Sequence, residues 1–84
     1  MKATVIVMLK PTVLDPQGSW IVKGIQQIGM NEISEIRQGK HFDITIKDDQ
    51  DPQQARAALE RLAKEVLTNP VIEQYQIIFE GGQE

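Results

Sequence analysis

The sequence predicts an α+β fold, a ferredoxin-like plait of element order βαββαβ, and three observations carry that expectation. Two Asp-Pro pairs, Asp15-Pro16 and Asp51-Pro52, each precede an apolar stripe of helical period. A carboxylate followed by proline is a helix-start signal, because the side chain accepts bonds from first-turn amides and proline's fixed φ suits the first helical position. Extended runs stand before, between and after these two helices, with two of them in the middle. The chain's 84 residues form one thin core that buries roughly 60–65% of the unfolded surface, so residues 1–84 are expected as a single domain. The plait has a four-stranded antiparallel sheet in spatial order 4-1-3-2, with both helices on one face.

The first strand sets Ala3, Val5, Val7 and Leu9 on one face and Thr4, Ile6 and Met8 on the other. Both faces are largely apolar, which places it in the sheet's centre. Pro11 lacks an N–H and biases Lys10 towards extended backbone, so the regular ladder stops near Leu9. The first helix runs from Pro16 to about Ile28, with Ile21, Val22, Ile25 and Ile28 as its buried stripe and Gly29 as its stop. Trp20 lies at the edge of that stripe, either as a partly buried flank or as a subunit contact.

Glu32 to Gly39 reads as the second strand, although Ile33 and Ile36 differ in parity, which suggests a bulge or an edge position. Gly39-Lys40 is the expected tight turn into the third strand, where Phe42, Ile44 and Ile46 alternate with Asp43, Thr45 and Lys47. In the second helix, Ala55, Ala58, Leu59, Leu62, Ala63, Val66 and Leu67 form the apolar stripe, with Gln54 at the capping-box position. Asn69-Pro70 ends this helix through a left-handed cap, Val71 to Glu80 is the fourth strand, and 81–84 is expected to fray. The second sheet face, with Ile6, Met8 and Ile78 among Thr45, Gln74 and Gln76, is too apolar to stay wet and calls for a further copy to cover it.

Nine Lys plus Arg against twelve Asp plus Glu give a net charge of −3 without a dense basic cluster, which argues against nucleic acid. No apolar run is long enough for a membrane span, and Met1-Lys2 leads straight into strand-like residues, so a cytoplasmic location is expected. A small domain without cysteine or an apparent metal site often gains stability by association. A dimer or a tetramer is therefore expected.

Catalytic chemistry finds few parts here. There is no phosphate-binding glycine loop, no cysteine and a single histidine, His41, which reads as an ordinary strand-end residue. Asp48, Asp49 and Asp51 lack the spacing of a calcium loop and read as a solvated turn followed by a cap. Asp15 reads first as a cap and secondly as a polar contact at an exposed connector. Lys10, Arg37 and Lys40 either stay solvated or meet an anionic group near the strand ends.

Several segments resemble one family across essentially the whole chain. They are Leu9-Lys10, Val13-Leu14-Asp15-Pro16-Gln17-Gly18, Gly29, Ile36-Arg37-Gln38-Gly39-Lys40 and Asn69-Pro70-Val71-Ile72-Glu73-Gln74-Tyr75. This combination is similar to the PurS family, small subunits of bacterial phosphoribosylformylglycinamidine synthase. Met30 stands where an aromatic is common and Trp20 is bulkier than usual, departures that touch local packing.

The resemblance implies a noncatalytic subunit with no catalytic, cofactor or metal residues of its own. The complex it implies converts formylglycinamide ribonucleotide to formylglycinamidine ribonucleotide with ATP, magnesium and ammonia released from glutamine. The implied partners are a glutaminase subunit, a large synthetase subunit and a second copy of the chain. Asp15, Gln17, Gly18, Trp20, Arg37 and Lys40 are the candidate subunit-interface residues. Two other functions stay open at this point: an ACT-like dimeric module that senses a small molecule, and a small dimeric α+β barrel enzyme, which lacks convergent acid and base groups.

Overall fold

Strand β1 (Lys2–Leu9) is the middle of the sheet, as its doubly apolar pattern requires. In the computed structural model, which describes residues 1–80, it pairs antiparallel on one side with β2 (Gly39–Thr45) and on the other with β3 (Glu73–Phe79). The register sets Ala3 opposite Ile44 and Phe79, and Val5 opposite Phe42 and Ile77, on one face. Helix α2 (Pro52–Arg61) and the π-helical segment Leu62–Leu67 cover that face, with Leu59 and Ala63 buried against Val5, Val7, Ile77 and Phe79. α2 leans towards β3: the Tyr75 hydroxyl donates to Glu60 Oε1 at 2.8 Å, and the Arg56 guanidinium lies 4.4 Å from the centre of the Phe79 ring.

The fourth strand of the expected plait is absent among the described residues: the sheet has three strands in the order β2-β1-β3. The expected third and fourth strands are β2 and β3, so the 4-1-3 part of the order is present. Of the expected second strand, Glu32 to Gly39, residues 32–38 form no ladder and Gly39 instead opens β2. The turn expected at Gly39-Lys40 is also missing, and the chain runs straight from 38 into β2. Gly39 is needed for room rather than for a bend, since a β-carbon there would strike the Val7 carbonyl oxygen and the Met8 sulfur, while its φ is not positive.

Helix α1 (Pro16–Gln27) and the extended return from Met30 to Gln38 together form an arm that stands off the sheet. Gly18 is the single buried residue of the helix. Of the expected buried stripe, Val22 and Ile25 are half-buried, whereas Ile21 and Ile28 are 42% and 75% exposed. The two helices therefore do not share one face of this sheet. The outcome is an elongated body of 52 × 27 × 16 Å with a radius of gyration of 16.5 Å, against about 12 Å for a compact chain of this length.

Smaller expectations divide. Gly29, at φ 88°, ends α1 in the left-handed region. Asn69 takes no left-handed cap; α2 passes into a π-helix whose wider turns rotate Val66 outward, to 71% exposure. The Thr68 hydroxyl donates to the Ala63 carbonyl at 2.8 Å and closes that end. Ala58 is exposed as well, so it leaves the stripe. Asp51 occupies the N-cap of α2 without a side-chain hydrogen bond, and the capping box with Gln54 is not made. The expected fraying of 81–84 lies outside the described residues.

Candidate functional site

Four of the six expected contact residues meet in one knot at the root of the arm. Asp15 is 6% exposed, and its carboxylate joins the two limbs: Oδ1 accepts the Gly18 N–H at 3.0 Å, and Oδ2 accepts the Gln38 N–H at 2.9 Å. The first bond caps α1 and the second ties the return of the arm to its start. Those amides, with the Gly18 N–H contributing most and the Arg37 charge adding to them, hold the Asp15 carboxyl below the usual aspartate range. Gln17 Oε1 accepts from Gln38 Nε2 across the same junction. Gly18 lies directly beneath the Ile36 carbonyl, where no side chain fits.

Arg37 is committed to the knot rather than to a ligand. One terminal nitrogen donates to the Lys10 carbonyl at 3.1 Å and to the Val13 carbonyl at 2.8 Å, and the other lies 3.8 Å from Glu35. Arg37→Ala is expected to cost about 1.5–3 kcal/mol, because two partly buried carbonyls lose a charged donor. Thermal unfolding of the purified chain checks this value.

The remaining two candidates sit apart. Lys40 is exposed and lies 4.0 Å from Glu73 across a shallow groove that also touches Gln17, Gln38 and Leu9. Lys10, Arg37 and Lys40 therefore do not converge on one anion. Trp20 is 72% exposed, with Lys23 Nζ 5.3 Å from its ring, so it is no partly buried flank of the core. His41 Nε2 lies 2.9 Å from Asp43 Oδ1 on the exposed side of β2. Asp48 is exposed and accepts from the Met1 amine at 3.4 Å.

A second feature is the apolar surface of the arm. Trp20, Ile21, Ile28, Met30 and Ile33 along it, and Leu14 just before it, are all 36% exposed or more. Of these, sequence reasoning had singled out Trp20 alone as a contact residue. It also missed Gln38, whose amide closes the knot, because a backbone donor leaves no trace in side-chain pattern. Among the described residues no three His, Cys, Asp or Glu side chains stand close enough to hold a metal ion, and no helix is long and apolar enough to cross a membrane.

Comparison with known proteins agrees with this geometry. A family model described as PurS, phosphoribosylformylglycinamidine (FGAM) synthase, matches residues 2–81. The phosphoribosylformylglycinamidine synthase subunit PurS of Mycobacterium leprae is 39% identical over 80 residues, covering 95% of this chain and 96% of that one. The crystal structure of Methanocaldococcus jannaschii PurS, one of the subunits of formylglycinamide ribonucleotide amidotransferase in the purine biosynthetic pathway, superposes with a TM-score of 0.78. That likeness has 36% identity and covers 90% of each chain. A chain in the structure of PurLQS from Thermotoga maritima shares the fold, with a TM-score of 0.79 at 24% identity over 90% of this chain and 92% of that one.

Proposed function

Because the chain belongs to the PurS family of phosphoribosylformylglycinamidine synthase subunits, we propose that it works by joining catalytic subunits and breaks no bonds itself. Its place is in purine biosynthesis, as a subunit of that synthase. The small-molecule-sensing reading is not favoured beside these matches. The observation that carries the joining role is the arm: six large apolar side chains held out to solvent on a polar, hydrogen-bonded root. An apolar surface of that extent marks a contact with other protein.

The partners are a glutaminase subunit, a large synthetase subunit and a second copy of the chain; the Thermotoga maritima structure, of PurLQS, is the analogy for the first two. The chain bridges them and helps ammonia pass from glutaminase to synthetase. ATP, magnesium and glutamine are used by the complex through those other subunits, and the proposed location is cytoplasmic. Carboxylates of this chain have partners within it: Asp15 binds two amides, Glu65 pairs with Arg61, and Glu73 accepts the Asn69 N–H at 2.7 Å. Asp15, Gly18 and Arg37 shape the contact surface from beneath, while Gln17, Trp20 and Lys40 are exposed to touch a partner directly.

The test is reconstitution. Adding the purified chain to the glutaminase and synthetase subunits is expected to restore glutamine-dependent product formation, with no turnover by the chain alone. Turnover by the isolated chain would overturn the proposal, and so would full glutamine-dependent activity in its absence.

A further inference from the structure

On the side of the sheet away from β2, β3 ends the ladder and leaves backbone groups open. Its bonds to β1 run from the Glu80 N–H, which donates to the Lys2 carbonyl at 3.0 Å, to the Lys10 N–H, which donates to the Ile72 carbonyl at 2.8 Å. Backbone groups alternate sides along an antiparallel strand. In this register Gln74, Gln76 and Ile78 turn theirs towards β1, while Glu73, Tyr75, Ile77 and Phe79 turn theirs outward. The Glu73 N–H is taken by the Asn69 carbonyl at 2.8 Å. The N–H and carbonyl groups of Tyr75, Ile77 and Phe79 have no ladder partner among the described residues.

Edges that stay single are blunted by charge, proline or a bulge. The outer edge of β2 has such protection, since its outward residues include the charged pair His41 and Asp43. The edge of β3 has none: Gln74 to Phe79 holds no charged residue and no proline, and it pairs with β1 without a bulge. A groove follows this edge along the flank of α2, lined by Arg56, Glu60, Tyr75, Gln76, Ile77 and Phe79. The Arg56 guanidinium lies over the Phe79 ring and has no carboxylate within ion-pair distance among the described residues. Glu60, one turn on in α2, is engaged by the Tyr75 hydroxyl at 2.8 Å.

We propose that the outer edge of β3 takes up an extended segment of a catalytic subunit as an added strand, with an aspartate or glutamate of that segment paired to Arg56. This inference rests on the joining role proposed above and deepens it, by naming a surface away from the arm and the kind of segment it fits. The main-chain groups of Tyr75, Ile77 and Phe79 give the segment its direction and register. Alternate side chains of the segment then point into the groove, where Phe79 offers an apolar wall and Arg56 an unpaired charge. A carboxylate there neutralises a guanidinium already half-buried against a ring.

Hydrogen exchange, read residue by residue, tests the edge directly. In the chain alone, the Tyr75, Ile77 and Phe79 amides are expected to exchange at least about tenfold faster than those of Gln76 and Ile78, which bond to β1. In the complex reconstituted with the glutaminase and synthetase subunits, all five are expected to be slow. Outward amides that stay fast in the assembled complex would overturn the proposal. Outward amides already slow in the chain alone would mean that a second copy holds the edge, and would overturn it too. Failure of the wild-type chain to assemble with the catalytic subunits would instead defeat the joining role itself.

Arg56→Glu is expected to weaken binding to the catalytic subunits by about tenfold or more, because a carboxylate in the groove repels the one it should receive. Arg56→Lys, which keeps the charge, is expected to retain most of the affinity. Equal affinities for these two variants would overturn the carboxylate pairing.

Discussion

Gly18→Ala is expected to lower stability by about 2–3 kcal/mol, a fall in melting temperature of roughly 10 °C or more. The added methyl would overlap the Ile36 carbonyl oxygen and lie 2.8 Å from its carbon, and both are backbone atoms that cannot swing aside. Relief requires either the 34–38 return to lift from α1 or the first turn of α1 to unwind, and each breaks the Asp15 bridge between Gly18 and Gln38. Gly24→Ala is the control in the same helix. Nothing stands within 4 Å of the new methyl there, so the helix gains up to about 1 kcal/mol from alanine's better propensity. Opposite shifts in paired thermal melts would locate the effect at the root of the arm; equal shifts would refute the close contact.

The second large effect is at Asp15. Asp15→Asn keeps one acceptor oxygen but turns an NH2 towards the other backbone amide, so one of the bonds from Gly18 and Gln38 becomes a clash of donors. The expected loss is on the order of 5–10 °C in melting temperature at neutral pH. Its pH dependence identifies the cause. The two amides hold the Asp15 carboxyl below its ordinary value in the folded chain, so its stabilisation is complete above about pH 4, the unfolded value. That stabilisation is lost as pH falls through the lower, folded value. The difference between wild type and Asp15→Asn should therefore be constant from neutral pH down to about 4 and shrink below it. A difference unchanged into stronger acid would show that the carboxylate charge is not what the root uses.

These two residues also show what the sequence made legible. Asp15-Pro16 announced the start of α1, and the structure makes that cap with the Gly18 amide. The alternation of β1, β2 and β3 gave the core face correctly, because strand period is a local property that the chain carries wherever it docks. The same signals at 32–39 misled. Ile33 and Ile36, of opposite parity, belong to no ladder among the described residues, and Gly39 resembles a turn glycine although it serves close packing. Pattern alone does not distinguish these uses.

The stripe of α1 illustrates a different limit. Ile21, Val22, Ile25 and Ile28 were rightly read as one apolar face, but amphipathicity states only that a face is better covered, not which molecule covers it. For the candidate site, the family pattern drew attention to positions that the fold places at and around the root of the arm. Burial sets Asp15, Gly18 and Arg37 within the root, whereas Gln17 joins it only through its exposed bond with Gln38, and Trp20 and Lys40 stay at the surface.

A helix with only Gly18 buried draws little of its order from the hydrophobic core. Its tie to the rest of the chain is a few directed bonds at one end, so opening this limb costs far less than unfolding the sheet.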